Sequence, residues 1–249
     1  MQTRLRRGFF ILWTAGLVLS GCTAGTAITR EPRAAIDRPY TLPAGVDAWG
    51  TGANVSLARD NTSEGRVFFD IPLEWFVSLS DDWTLLLGSA FGVAHQFLND
   101  GRQRIGARLS LVPGFGSSGV LLAPSLVVDD RVRLSRRWAW DSSLGFNTSR
   151  WTGAPSWSWG AGVTTGPILQ LTDTVSLDAS ASLFFARSYL FLTGAPIAPS
   201  GQHEASVGLG STWSLSRQWD VGASVGFERR ANTNGYRAWW AGAGVANVW

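Results

Sequence analysis

Residues 67–79 read VFFDIPLEWFVSL and alternate between two kinds of side chain. The odd positions are all apolar, whereas the even positions include the carboxylates Asp70 and Glu74. A period of two places these sets on opposite faces of a β-strand, and it does not fit a helix, whose period is 3.6 residues. The pattern stops at residues 80–82 and resumes at Trp83. The sequence therefore predicts a strand with one apolar and one polar face, a tight turn and a second strand.

The same tight hairpin is predicted four times along the chain. A hydrophobic residue, a Ser or Thr, two turn residues and a Trp or Val follow each other at residues 79–83, 134–138, 171–175 and 215–219. If these turns lie on one side, the chain between any two of them crosses an even number of times. The strands that fit are at residues 46–58, 67–79, 83–88, 90–98, 103–113 and 120–134, then two between 138 and 171, two between 175 and 215, and two at 219–229 and 236–249. Twelve strands result, or ten if residues 83–97 are unbroken.

Along each predicted strand, most residues at every second position are apolar, and we call this the apolar parity. These positions predict a lipid-facing surface. In residues 138–146 the apolar positions include Trp138, Trp140, Leu144 and Phe146, while Asp141 lies at a position of the opposite parity. Asp130 is an exception, because it shares the apolar face with two valines. A soluble sandwich also alternates. The tryptophan count of 14 and the small or charged residues of the other face favour an antiparallel transmembrane β-barrel with short periplasmic turns.

Charge and composition limit the function classes. The chain has 249 residues with 21 Lys+Arg, all of them arginine, and 18 Asp+Glu. Three arginines (Arg4, Arg6 and Arg7) lie in the first seven residues, so the remaining chain is neutral and nucleic-acid binding is not expected. No apolar run reaches the roughly 18 residues of a transmembrane helix.

The N-terminus predicts export and lipidation. A basic stretch and the apolar residues 8–19 are typical of a signal peptide over residues 1–21. Its end, Leu19-Ser20-Gly21-Cys22, resembles the bacterial lipobox, which implies lipid attachment at Cys22. The alternative is ordinary cleavage after a small residue such as Ala24 or Ala27. The following Thr23, which is not an aspartate, implies the outer membrane, and residues 22–43 are interpreted as a polar tether ahead of a barrel at residues 44–249.

The signal, the alternating strands, the hairpins and the terminal Trp249 together resemble Gram-negative outer-membrane β-barrels. That resemblance implies Trp249 as an assembly signal, the barrel-assembly machinery and outer-membrane lipids as partners, and closure by pairing of the first and last strands. More loosely, residues 38–45 (RPYTLPAG) resemble the entry to barrels annotated in the meta-pathway of phenol degradation, which implies a small-solute transport type of barrel.

The positions that alternate with the apolar ones would face the inside of the barrel, and their residues predict a charged lumen. Its candidate residues are Asp70, Glu74, Arg104, Arg108, Asp129, Arg131, Arg133, Asp141, Asp178, Asp220 and Glu228. They could form a charge-separated, porin-like pore or binding cavity that selects solutes. They could equally form a salt-bridged filling of a narrow barrel.

The expected function is passage or binding of a small solute, without cofactor or metal. The two histidines and one cysteine are far apart in the chain and have no metal-ligand spacing. One alternative is a lipid- or lipopolysaccharide-modifying enzyme at the outer rim, using His203 near Glu204 and Ser206. The other alternative is a structural barrel that transports nothing.

Overall fold

The chain forms a barrel of antiparallel strands. The computed structural model describes residues 34–59, 65–116, 119–151, 156–192, 195–216, 218–231 and 236–248. Within these ranges no helix is long and apolar enough to cross a membrane. The strands are β1 (Asp47–Arg59), β2 (Arg66–Asp70), β3 (Leu73–Ser80), β4 (Trp83–Gly88), β5 (Phe91–Asn99), β6 (Gln103–Gly116), β7 (Gly119–Arg133), β8 (Trp138–Trp151), β9 (Ser156–Thr172), β10 (Val175–Leu192), β11 (Ala195–Ser214), β12 (Trp219–Ala231) and β13 (Arg237–Val248).

The wall is closed and contains twelve strands, as the sequence predicts. From β3 to β13 each strand pairs with the next one in the chain, β1 pairs with both β2 and β3, and β13 pairs with β1 from Ala48↔Val248 to Arg59↔Arg237. Pairing of β13 with β1 removes the two lateral edges that an open sheet would expose in the interior of a membrane. The short strand β4 ends at Gly88, as predicted, so the ten-strand alternative does not apply.

One predicted strand is divided in two. Residues 67–79 were expected to be continuous, but β2 ends at Asp70 and β3 begins at Leu73. Pro72 lies in the break and has no N–H to donate to a ladder. Its carbonyl oxygen instead accepts from the Thr51 hydroxyl (2.9 Å) and the Gly52 N–H (3.3 Å). Both halves pair with β1 and form one wall strand.

The repeated Ser or Thr of the hairpins closes the turns. The Ser135 hydroxyl oxygen accepts from the N–H groups of Arg137 (3.2 Å) and Trp138 (3.1 Å). Ser216 does the same for Gln218 and Trp219, at 3.2 Å each. A side-chain oxygen at this position satisfies turn donors that the ladder leaves free. We call this end of the barrel the turn end and the opposite end the loop end.

The outer face of the barrel carries the apolar residues that were predicted to face lipid. Trp138, Trp140, Leu144 and Phe146 are 44%, 41%, 62% and 48% exposed, respectively. The exceptional Asp130 does lie on this face, near the turn end, where it accepts a hydrogen bond from the Gln103 side-chain amide (3.0 Å). A paired polar group near the interface costs less than one in mid-membrane. Residues 1–21, Cys22 and Trp249 lie outside the described residues.

Candidate functional site in the lumen

All eleven predicted lumen residues face inward, and they fall into four groups. Arg104, Arg131, Arg133, Asp141 and Asp220 surround the N-terminal segment at the turn end. Arg108 pairs with Asp129 (3.3 Å), in the middle of the barrel. Glu74 and Asp178 line the open lumen nearby, and Asp70 lines it higher up. Glu228 lies near the loop end.

The N-terminal segment, residues 34–45, lies inside the turn end of the barrel, and we call it the plug. The sequence suggested a polar tether up to residue 43. From Ala34 onward the chain instead packs against the inner wall. Ile36, in a short 3-10 helix (Ala35–Asp37), is 0% exposed and packs against Ala139 and Ile168. Leu42 is 3% exposed and packs beside Ala48.

Arginines of β6 and β7 hold the plug by its backbone. Arg131 binds both oxygens of Asp141 (2.6 and 2.7 Å) and donates its remaining N–H groups to the carbonyl oxygens of Ala35 (2.7 Å) and Arg38 (3.2 Å). Arg104 donates to the Ile36 carbonyl oxygen (2.7 Å). The planar guanidinium offers five donors, which lets one side chain fix the wall and the plug together.

Charged side chains join the plug to the wall at two places. Arg133 donates to the Asp37 carboxylate at 2.6 Å. On the far wall, Arg38 forms a buried ion pair with Asp220 and donates to the Ser214 hydroxyl (2.6 Å). Both members of the Arg38–Asp220 pair are at most 3% exposed. The plug is therefore fixed from β7 on one side to β11 and β12 on the other.

Neutral hydrogen bonds fix the plug to a third part of the wall. The Tyr40 N–H donates to the Gln96 side chain (3.0 Å), and the Leu42 N–H donates to the Thr84 hydroxyl (2.8 Å). Thr41 donates to the Asp81 carbonyl oxygen (2.7 Å). These contacts reach β4, β5 and the β3–β4 turn. Because the plug touches the wall on three sides, it occupies the turn end of the lumen.

Tyr40 lies in the plug and faces Arg131. Its ring centroid is 5.5 Å from the guanidinium carbon. Burial raises the pKa of the Tyr40 phenol well above its ordinary value, and Asp141 raises it further. The ring therefore remains neutral and can accept a cation–π contact from Arg131.

The lumen continues as two adjoining chambers. The turn-side chamber, about 340 Å³, is lined by the plug residues Arg38, Tyr40 and Leu42 and by the lower wall. The loop-side chamber, about 420 Å³, lies above it. Glu74, Phe76, Arg108 and Asp178 are among the residues that line both, so the chambers meet at this level. The arginine cluster therefore binds the plug and does not itself fill the barrel.

The loop-side chamber has a largely apolar lining with rows of hydroxyl groups, and its charged lining residues are Asp70, Glu74, Arg108, Asp178, Glu204 and Glu228. Its apolar lining includes Phe184 and Trp240. Its hydroxyls bond to each other, as in Ser110 with Ser125 (2.7 Å) and Thr164 with Ser182 (2.8 Å). Hydroxyls that already have partners present little unmet polarity to a solute. This lining suits a molecule that is mostly apolar.

Glycines on neighbouring strands let both aromatic rings lie flat against the wall. A Cβ at Gly160 would come within 2.3 Å of the Phe184 ring, and a Cβ at Gly226 within 2.3 Å of the Trp240 ring. Side chains larger than hydrogen at these positions would displace the rings. The glycines therefore keep the chamber wide, although two large aromatic residues face it.

We predict that Gly160→Ala narrows the loop-side chamber. The new methyl group meets only the Phe184 ring and the Asn147 amide oxygen (2.9 Å), both side-chain atoms that can move. The ring then turns into the lumen, and solute uptake falls while the barrel stays folded. Gly145→Ala is the matched control, because its Cβ would meet nothing closer than 3.9 Å. Equal uptake by the two variants would contradict the role given to Phe184.

The wall of the loop-side chamber is incomplete at one place, which we call the notch. Among the described residues, β2 pairs on one side only, with β1. The β4–β5 hairpin reaches only to Gly88↔Glu74 on one side and Phe91↔Leu111 on the other, while β6 continues to Gly116. Arg66–Asp70 and residues 112–116 therefore face each other across a gap whose floor is residues 88–90.

The short hairpin at the floor of the notch has a local cause. Gly88 has φ +128°, and a Cβ there would lie 2.1 Å from the Leu73 carbonyl oxygen. The Ser89 N–H donates to the same oxygen (3.1 Å), which ends the ladder. Pro72 and Pro113 lie on the two sides of the notch, where a residue without an N–H leaves no ladder bond unmade. Asp70, Ser89, Ala90 and Pro113 also line the loop-side chamber, so the chamber borders the notch.

A second charged cluster lies near the loop end. The Arg230 Nε–H donates to Glu204 (2.8 Å) and lies 2.7 Å from a Glu228 oxygen. The Arg230 guanidinium also lies over the Tyr236 ring, 4.4 Å from its centroid. Glu228, which was predicted as a lumen residue, lines the loop-side chamber and belongs to this cluster, although it is only 3% exposed.

The three residues of the alternative enzyme site at the outer rim, His203, Glu204 and Ser206, do not lie on the same face of the strand. His203 is exposed and lies against Phe185, with ring centroids 5.0 Å apart, on the outward parity. Glu204 and Ser206 have the opposite parity and face the lumen, where both line the loop-side chamber. Successive strand residues point to opposite faces, so His203 does not share a site with Glu204 or Ser206.

Several residues of the site were not predicted from the sequence. They are Asp37, Arg38, Tyr40, Gln96 and Arg230, which contribute ion pairs or hydrogen bonds. Glu204 was named from the sequence, but its ion pair with Arg230 was not predicted. One signal was present for the plug: the apolar Ile36 and Leu42 recur in an otherwise polar segment.

No protein-family model and no curated protein matches the sequence. Solved structures do match the fold. An outer membrane channel from Pseudomonas putida F1 superposes with a TM-score of 0.59 at 12% identity, over 84% of this chain and 97% of its own. Two monoaromatic hydrocarbon channels superpose less well: TodX, as its deltaS2 mutant (TM-score 0.46, 8% identity, 86% and 91% coverage), and CymD (0.43, 8%, 81% and 87%). The likeness to the Pseudomonas channel shows that this chain has the fold of an outer-membrane β-barrel.

Proposed function

We propose that the protein is an outer-membrane channel for a small, mostly apolar solute. The observation that carries the proposal is the loop-side chamber, which borders a notch in the wall while the plug occupies the turn end. In outer-membrane barrels short turns are periplasmic. A solute that enters from outside then meets the plug at the periplasmic mouth and a gap toward the membrane.

The notch favours an apolar solute over a polar one. Its surroundings on the outer face are Phe69, Ile71 and Phe91, which are 64%, 61% and 51% exposed. A polar molecule that passed from the notch onto this outer surface would lose hydration without new partners, which costs several kcal/mol. An apolar molecule gains about 25 cal/mol for each Å² removed from water.

The test is uptake by Gram-negative cells that carry the protein. We predict faster initial uptake of a radiolabelled eight-carbon straight-chain alcohol than in cells with an empty vector. Uptake of a sugar alcohol of similar size should not change. Alcohol uptake equal to the vector control, or an equal increase for both solutes, would contradict the proposal.

Lipid attachment at Cys22 is part of the same proposal. Ala34 is the twelfth residue after Cys22, and twelve residue steps of extended chain span about 40 Å. That length reaches from a plug at the periplasmic mouth to the periplasmic leaflet. Mass spectrometry of the mature N-terminus tests it: the diacylglyceryl mass should be present, and absent after Cys22→Ser.

A further inference from the structure

Three arginines form a row on the outer face at the loop end. Arg59 of β1 lies directly opposite Arg237 of β13, and Arg237 lies directly opposite Arg229 of β12. All three side chains are exposed. Directly opposed strand residues have Cβ atoms about 5 Å apart, and like charges at that spacing destabilise a sheet. We call these residues the arginine row.

The described part of the chain does not neutralise this row. Each ion pair found there involves Arg38, Arg104, Arg108, Arg131, Arg133 or Arg230, all of which face the lumen. The repulsion between three adjacent guanidinium groups is offset if an external anion lies between them. Phosphate suits this geometry, because guanidinium binds it with two parallel hydrogen bonds.

An apolar surface lies directly below the row. Trp239 is 65% exposed, with Leu57 opposite on one side and Phe227 on the other at a ring-centroid distance of 4.8 Å. Below them the outward residues are small, including Ala241 and Ala243. The surface thus has a shallow apolar strip beneath a row of positive charges.

The row lies at the level of lipid headgroups. Ten residues of β13 separate Arg237 from Asn247, which is flanked by Trp49 and Trp219 at the turn end. At about 3.4 Å per residue and a tilt near 40°, this spans about 26 Å along the membrane normal, the height of the apolar band of such barrels. The other outward arginines of the described strands, Arg150 and Arg187, also lie near the loop end.

We infer that the arginine row binds the phosphate groups of lipid A, the phosphorylated glycolipid of the outer leaflet, with its acyl chains on the strip of Trp239, Ala241 and Ala243. Only this leaflet faces the loop end, and only its lipid joins several acyl chains to two phosphates on one rigid headgroup. The inference goes beyond the proposed function. It rests on the membrane setting of the fold and not on passage of a solute.

The test is native mass spectrometry of the purified protein in detergent with diphosphorylated lipid A. The wild type should retain the lipid, and Arg59→Gln/Arg229→Gln/Arg237→Gln should bind it about tenfold or more weakly. Arg102→Gln/Arg136→Gln/Arg137→Gln is the matched control, because it removes three arginines at the turn end and should bind normally. Lipid A without phosphates should bind the wild type about tenfold more weakly.

Three results would overturn the inference. They are equal binding by the triple variant and the wild type, equal binding of lipid A with and without phosphates, and displacement of lipid A by millimolar inorganic phosphate. Phosphatidylglycerol binding as tight as lipid A would also contradict the choice of lipid. Heat-modified migration on gels shows whether each variant is a folded barrel. Solute uptake is a separate measurement, so failure here leaves the proposed function untouched.

Discussion

Arg38→Gln is expected to release the plug and open the periplasmic mouth. Arg38 and Asp220 are 3% and 2% exposed, and the Arg38 guanidinium also donates to the Ser214 hydroxyl. Removal of one partner from a buried ion pair costs about 3–5 kcal/mol, because the other charge is left uncompensated. A loss of about 3 kcal/mol from docking raises the ratio of undocked to docked plug about 100-fold.

Thiol labelling measures the undocking of the plug directly. Ile36 is 0% exposed when the plug is docked, so Ile36→Cys in a Cys22→Ser background reacts with a maleimide only after undocking. Adding Arg38→Gln should raise the labelling rate about 100-fold. It should also raise the single-channel current in planar bilayers.

The control is Arg38→Gln/Asp220→Asn. It removes both charges, so no uncompensated carboxylate remains and most of the docking should return. Equal labelling rates with and without Arg38→Gln would mean that this ion pair does not hold the plug.

The wall was predictable because its signals are local. Strict alternation fixes which side of a strand faces lipid, and turn residues fix where the strand ends. The short strand β4 illustrates this, since Gly88 and Ser89 end it where the sequence suggested. The inward parity of all eleven lumen candidates follows from the same period of two.

The plug was not predictable, because its partners are set by closure of the barrel. Arg131 and Arg104 bind carbonyl oxygens of residues 35, 36 and 38, and a backbone carbonyl has no sequence signature. Asp220 lies 182 residues from Arg38 in the chain. The division of the strand at Pro72 was not predicted either, because the alternation of residues 67–79 continues through the proline. Only the register shows that β2 is unpaired on one side.

Closing the notch is expected to abolish uptake of apolar solutes. Inserting Val-Thr-Val-Asn-Gly-Thr-Val-Thr between Ser89 and Ala90 would lengthen β4 and β5 by three residues each around a two-residue turn. The added strands would pair toward Arg66–Asp70 on one side and residues 112–116 on the other, where ladder groups are now unpaired. Alcohol uptake should fall to the level of cells without the protein.

The matched control inserts eight glycine and serine residues at the same place. These residues have low strand propensity, so the notch should remain and uptake should persist. Ion conductance should be the same in both insertion variants, because the plug at the turn end is unchanged. If both insertions abolish uptake, the length of the loop and not the gap in the wall controls passage. If neither does, the solute leaves past the plug, and the Arg38 variants become the decisive comparison for its route.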